Sequence, residues 1–224
     1  MINKLVDTLA AAVEGVRDGA MIASGGFGGS GVPSALYDAI RDLGVRDLVV
    51  VSNNAGIGHN GLAGLIGAGR VRRIICSFPR SHDGSPLFDA AYKAGKIELE
   101  IVPQGTLSER LRAAAAGIGG FFTVVSAGTR LGEGKETRII DGRTHVFEAP
   151  LRPDVALVKA HRADRWGNLV YRMAARNFNP VMAQAARMTL VEVDEIVELG
   201  GLDPEAIVTP GIFVHRVVCT GGKR

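Results

Sequence analysis

Two cysteines, Cys76 and Cys219, are all that the 224 residues contain. That excludes a disulfide framework and any multi-cysteine metal site. Cys76 lies in the apolar run IICSF and reads as a small buried hydrophobe. Excess charge is equally scarce: 26 Lys and Arg against 23 Asp and Glu leave a formal +3, spread along the chain with no dense basic block. A pI of about 9.1 suits small anionic ligands, but no nucleic-acid footprint is present. No run reaches the ~18 apolar residues of a membrane helix. The segment INKLVDTLAAAVEGV is broken by Asp7 and Glu14, where a signal peptide would be continuously apolar. The expectation is a cytoplasmic protein without membrane or nucleic-acid partners. Catalytic signatures are missing too: there is no G-x-S-x-G elbow, no phosphate-binding lysine loop and no H-E-x-x-H. His59, His82, His145, His161 and His215 stand apart without ligand spacing, so no metal site is expected. No activated nucleophile can be named within the chain.

What is abundant is glycine, and it is concentrated. SGGFGGSGVP, Ser24 to Pro33, spends half its residues on glycine and stops at proline. Each glycine costs roughly 0.5–1 kcal/mol relative to alanine inside a regular element. The stretch is therefore a loop that needs positive φ, or one whose backbone must approach something closely.

The rest of the chain is ordinary globular sequence, 46% hydrophobic. Val6, Leu9, Ala10 and Val13 fall at helical spacing, in a helix ending near Asp18. A short buried strand, Ala20 to Ala23, feeds the glycine stretch. Ser34 then caps a helix carrying Leu36, Ile40 and Leu43. DLVVVS is a buried strand, and the alternation continues through Leu62–Ile66, RIICSF, Phe88–Ala94, ELEIVP and the alanine-rich Leu107–Ala116. Two extended runs flank Asp141-Gly142, a hairpin signal. DVALVKA and MTLVEV restore buried strands around a helix at Val181–Ala186. The pattern predicts one α/β domain over 1–224: an open, mostly parallel sheet with helices on both faces and a β-hairpin insertion.

In such sheets, ligands bind beyond the carboxyl ends of the strands. Three polar segments sit there: the glycine stretch, SNNAG (Ser52 to Gly56) and PQG (Pro103 to Gly105). Exposed backbone N–H groups and a helix start suit an anionic or thioester-bearing ligand. The Asn53 and Asn54 amides can donate to a carbonyl or carboxylate, and the Gln104 amide to an oxyanion without contributing a charge. Taken singly, each segment is more simply a turn; their shared sheet edge is what makes a site. Gly26 to Gly31 also fits G-x-G-x-x-G, but the second strand ends in Ser52-Asn53-Asn54 rather than an acidic ribose contact, which disfavours a nicotinamide fold.

DGAMIASGGFGGSGVP resembles the signature of the first subunit of class I coenzyme A transferases. SNNAG, VPQGTLSERLRAAAAGIGGFFT, DRWGNLVYRMAARNFNP and TPGIFVHRVV resemble further blocks of that family in the same order. The resemblance implies a half-enzyme that works with the family's second (B) subunit, in a heterodimer or heterotetramer. It implies transfer of coenzyme A from succinyl-CoA to a 3-oxo acid, with no permanently bound cofactor. A glutamate in a Ser-Glu-Asn-Gly motif of the second subunit would carry the covalent step; that tetrapeptide does not occur here. RVRRIICSFPRSHD and RAAAAGIGGFF point to the 3-oxoadipate branch over the acetoacetate branch. By the same likeness Gly25, Gly26, Phe27, Gly28, Gly29, Ser30 and Gly31 form the coenzyme A segment, and Asn53, Asn54 and Gln104 present donors to the acyl oxygens. TVVSAGTR, Thr123 to Arg130, departs from the proline-glycine turn of the family, and no binding residue is assigned there. A second carboxylate on the acceptor needs a cation, for which Arg80 is the candidate, with His82 near it in sequence. A ligand sensor without catalysis is the alternative from another class; it would be favoured by a helix-turn-helix segment, and none is seen.

Overall fold

The computed structural model describes residues 2–80 and 84–223. From the N-terminus come β1 (Leu5–Val6), α1 (Leu9–Val13), β2 (Met21–Ser24), α2 (Ser34–Leu43) and β3 (Leu48–Asn54). α3 (Gly61–Gly67), β4 (Val71–Phe78), α4 (Pro86–Lys93), β5 (Glu98–Ile101) and α5 (Gln104–Ala115) continue the alternation. A small antiparallel sheet of β6 (Phe121–Thr123), β7 (Thr137–Ile140) and β8 (Arg143–Glu148) then intervenes. β9 (Val155–Ala163), β10 (Leu169–Val170), α6 (Asn179–Ala185), β11 (Met188–Ile196) and β12 (Arg216–Lys223) return to the main sheet.

That sheet has nine strands in the order β1-β12-β11-β9-β2-β3-β4-β5, with β10 paired to β9. Every neighbouring pair is parallel except β10 with β9. The central strands are apolar on both faces because helices cover both. On one face Leu48 and Val50 pack with Leu36 and Ile40 of α2 and Leu62 and Leu65 of α3. On the other, Val49 and Val51 meet Leu107 and Leu111 of α5 and Met182 of α6. The expected architecture is present, and the inserted hairpin turns at Asp141 (φ 51°) and Gly142 (φ 71°), both left-handed as a type I′ turn requires.

Topology places the site. From β2 the chain steps outward through β3, β4 and β5; from β9 it steps the other way through β11 and β12. β2 and β9 are adjacent, so the connections leaving their carboxyl ends diverge there, and the glycine loop after β2 stands between that divergence and the end of β3.

Three local expectations are corrected. Val6 is not helical: it pairs with Val218 in β1, and the helix waits for Thr8, whose Oγ1 accepts from Ala11 N at 3.1 Å. Ser34 does not cap α2. Pro33 holds the N-cap position without a side-chain bond, and Glu192 of β11 supplies the acceptor, taking the Leu36 N–H at 2.9 Å. Burial raises the Glu192 carboxyl above its ordinary range, against the pull of the Leu36 N–H, Lys159 and the Ala35 N–H. Finally, Gln104 is not a loop residue; α5 begins on it.

Candidate active site

The glycine loop leaves β2 with its ladder still running: Gly25 N donates to Leu157 O of β9 at 3.0 Å. Phe27 and Ser30 then exchange both backbone bonds, each at 3.0 Å, closing a two-residue turn around Gly28 and Gly29. Gly28 sits at φ 57°, the positive value that a tight hairpin needs at its first central residue. The two limbs are held from outside by asparagines. Asn177 Oδ1 accepts from Gly26 N at 3.2 Å, and its Nδ2 donates to Ser30 O at 3.0 Å. Asn179 Nδ2 donates to Gly31 O at 2.9 Å, while its Oδ1 accepts from Lys159 N at 2.9 Å.

The glycines therefore divide into two kinds. A Cβ on Gly25 would stand 1.8 Å from Asn179 Oδ1, so that glycine exists for an internal close approach. Around Gly28 and Gly29 a Cβ would meet nothing within 4 Å. Their N–H groups take part in none of the loop's bonds to the described residues. The tip of the turn offers bare backbone donors to whatever occupies the cleft.

That cleft, about 190 Å³, lies between the glycine loop and the end of β3. Gly28, Gly29, Asn53, Asn54, Asn60 and Tyr37 are among its walls. Gln104 Nε2 donates to Asn53 Oδ1 at 2.5 Å, so the sheet edge does bring these two amides together. With Oδ1 engaged, the Asn53 amide keeps its Nδ2 donors. Asn54 is used differently: its Oδ1 accepts from Gly56 N at 2.9 Å, an Asx turn that shapes the loop after β3. Gln104 also borders a second groove of about 270 Å³ with Phe27, Gly105, Ser108, Asn177 and Phe178. The Asn53–Gln104 bond thus joins the two depressions, and half-exposed Phe27 stands beside the second.

No carboxylate, histidine, cysteine or lysine lines either depression among the described residues, so no base is at hand to activate the serines in their walls. Tyr37 is buried, hydrogen-bonded to Ser24 and pushed by burial further above its already high pKa, so it stays a neutral phenol. Cys76 is fully buried and its thiol is pushed up to about 12 by desolvation, which removes it as a nucleophile. The chemistry on offer is donation by uncharged amides, without a group that attacks. Among the described residues, no cluster of three or more His, Cys, Asp or Glu is placed to hold a metal ion, and no helix is long and apolar enough to cross a membrane.

Arg80 is not gathered with the amides. It lies beyond β4, its Nε 2.7 Å from Asp89 Oδ1 of α4, in a separate groove with Phe78, Phe88 and Tyr92. His82 lies outside the described residues. Asn177 and Asn179, by contrast, are not singled out by sequence reasoning, although RNFNP contains both. The available signal is the alternation of two amides around one aromatic, which sends Phe178 into the apolar core and leaves the amides for the loop.

The Coenzyme A transferase family model matches residues 6–220. The chain is 60% identical to the A subunit of 3-oxoadipate CoA-transferase of Pseudomonas putida, over 99% of this chain and 96% of that protein. It is 49% identical to the A subunit of succinyl-CoA:3-ketoacid coenzyme A transferase of Xanthomonas campestris pv. campestris (strain B100), over 96% of this chain and 88% of that one. Among solved structures, a variant of the decarboxylase AibA/AibB superposes with a TM-score of 0.84 at 27% identity, over 99% of this chain and 85% of the matched chain. A decarboxylase on this architecture means that shape alone does not select the reaction.

Proposed function

The chain belongs to the coenzyme A transferase family, and from that membership we propose that it is the first of the two subunits of a transferase moving coenzyme A from succinyl-CoA to 3-oxoadipate. The observation that carries the substrate is the 60% identity to the 3-oxoadipate enzyme's chain, near full length on both sides. What supports a half-enzyme is a cleft furnished with donors and, among the described residues, no activated nucleophile.

In this proposal the succinyl thioester carbonyl is attacked by a carboxylate of the second subunit, and the C–S bond breaks to release the coenzyme A thiolate and leave a mixed anhydride. The thiolate then attacks the enzyme's acyl carbon, succinate departs, and a glutamyl thioester remains. The 3-oxo acid repeats the sequence in reverse and leaves as its coenzyme A thioester. Each attack places negative charge on a carbonyl oxygen. The N–H groups of Gly28 and Gly29 and the amides of Asn53 and Gln104 are the donors we assign to those oxygens, with Asn54 shaping the loop beneath. Each such donor contributes about 2.7–4 kcal/mol where oxyanion character develops. The open space over Gly28 and Gly29 leaves room for the thioester and the adjoining pantetheine arm. We assign the chain to the cytoplasm; Cys76, buried and in no disulfide, fits a reducing compartment.

Arg80 is the cation proposed for the second carboxylate, a role in which the acceptor replaces Asp89 as its partner. The test is reconstitution of the chain with its second subunit, comparing wild type and Arg80→Met on 3-oxoadipate and acetoacetate. Transfer should require both chains and favour 3-oxoadipate, and the substitution should narrow that preference. A strong preference of the wild type for acetoacetate would overturn the substrate. An unchanged ratio in the variant would remove Arg80.

A further inference from the structure

The geometry points to Asn177 and Asn179 as positioning residues of the transfer reaction, an inference that rests on the glycine loop being the acyl-thioester site. Between Gly26 and Gly31, the loop's bonds to the rest of the chain run to these two side chains. The partners are far apart in sequence, 151 positions between Gly26 and Asn177. Phe178 between them is 8% exposed and anchored in the core shared with α5 and α6. The asparagines are thus fixed by a buried aromatic, not by the loop that they hold.

Asn177 bonds both limbs of the turn with one planar group, accepting from Gly26 N and donating to Ser30 O, directly behind the Gly28–Gly29 tip. The same Nδ2 donates to Ala174 O at 2.6 Å, which ties the carboxamide to its own turn. Asn179 is fully buried and links the loop's far limb to the β9 backbone through Gly31 O and Lys159 N. A carboxamide offers a donor and an acceptor at once and needs no proton uptake to do so; an ionised carboxylate lacks the donor and an alkyl chain lacks both. The separation between the bare N–H groups of the tip and the Asn53–Gln104 pair is set by these contacts. Neither asparagine is assigned to the reacting atoms. Their effect on rate comes through the loop, where a displacement of about 1 Å costs on the order of 10²-fold.

An Asn-to-Asp exchange gives the test a signature. A protonated carboxyl group keeps both a donor and an acceptor, whereas the ionised form cannot donate to Ser30 O. In the assembled two-subunit enzyme, Asn177→Asp should lower kcat on the order of 10²-fold at neutral pH, with KM for succinyl-CoA changed far less. The ratio of its kcat to wild type should recover as pH falls and the introduced carboxyl takes up its proton. Asn177→Ala should lose activity without that recovery, and melting curves of both should show folded, assembled protein. Gly29→Val, whose new Cβ at Gly29 meets neither asparagine, projects into the cleft and separates the loop site from its positioning. If Gly29→Val abolishes transfer while both Asn177 variants match wild-type kcat, positioning is refuted and the loop site stands. If Gly29→Val also transfers normally, the loop site falls and the positioning role with it. A loss in Asn177→Asp that is flat with pH and tracks the loss of folded protein would make the residue merely structural and would overturn the inference.

Discussion

Alanine at Gly25 and alanine at Gly29 are chemically identical changes within one loop, yet they should act differently on stability. At Gly25 the new Cβ would lie 1.8 Å from Asn179 Oδ1 and 2.3 Å from its Cγ. Asn179 is fully buried and has no slack, since its carboxamide already serves Lys159 N, Gly31 O and Ala175 O. It must move, and the part-buried Lys159 N–H and Gly31 carbonyl then lose their partner. At roughly 1–3 kcal/mol for each unsatisfied group, the two together cost about 3 kcal/mol. For a chain of this size that corresponds to a fall in Tm of about 6–12 °C. At Gly29 nothing lies within 4 Å of the new methyl and no left-handed φ stands against it. Alanine there restricts the unfolded chain and should leave stability unchanged or raise it by about 0.4–1 kcal/mol.

Activity should separate the two differently. Gly29→Ala places its methyl in the cleft where the thioester is proposed to lie, so succinyl-CoA consumption should drop while Tm holds. Gly25→Ala should lose activity and Tm together. The assays are a melting curve and a transfer rate on the assembled enzyme. A Gly25→Ala protein that melts with wild type would refute the account of Asn179 as immovable. Full transfer by Gly29→Ala would refute the claim that the bare glycine tip is left open for substrate.

Gln104→Leu removes the bond to Asn53 Oδ1 and one proposed oxyanion donor. We expect kcat to fall on the order of 10²–10³-fold with binding of succinyl-CoA little affected; a pure KM effect would assign Gln104 to ground-state binding instead. Glu192→Gln tests the remote cap of α2. Burial holds the Glu192 carboxyl above its ordinary value of 4.5, so the folded state binds that proton more tightly than the unfolded chain does. The contribution of Glu192 to stability therefore falls as pH rises from about 4.5 through the raised value. Glutamine does not titrate, so the Tm of Glu192→Gln relative to wild type should climb over that window. A relative Tm that falls there would mean that the helix N–H groups and Lys159 outweigh burial.

Features of the chain that answer to their neighbours in sequence are legible from the residues alone. Asp141-Gly142 between two extended runs signals a turn, because both residues tolerate the left-handed backbone that they adopt here. Buried strands announce themselves by β-branched runs, and the crowding of glycine between Ser24 and Pro33 demands a cause. Which cause applies to which glycine is not legible. Gly25 answers to Asn179, whose placement depends on β9, while Gly28 and Gly29 answer to empty space. The same limit explains Ser34. Its hydroxyl type and position suit a cap, but the helix takes its acceptor from Glu192, 156 residues from Leu36, and nothing local reports that. Pro103-Gln104-Gly105 misleads in the other direction: proline and glycine mark a break, and the break here is the first turn of α5.

The absence of an activated nucleophile from the described walls of the cleft behaves differently from all of these, because folding makes it more specific. In sequence it is a missing motif, and any isolated serine or cysteine elsewhere could be recruited by folding. In the fold, Cys76 is sealed in the core with its thiol held protonated, and Tyr37 is a buried phenol whose hydroxyl is engaged with Ser24. The two depressions at the sheet edge offer amides and backbone N–H groups among their described walls. Donors poised for a developing oxyanion have no use without an attacking group close enough to create one. In the proposed transfer, a cleft that supplies stabilising donors and, among its described walls, no attacking group is what a reaction divided between two chains requires. The asparagine girdle around the glycine loop then has a physical purpose. In the proposed transfer, a surface that meets a nucleophile carried by another chain cannot rely on that chain for its own shape, and here the loop is held by Asn177 and Asn179 from behind.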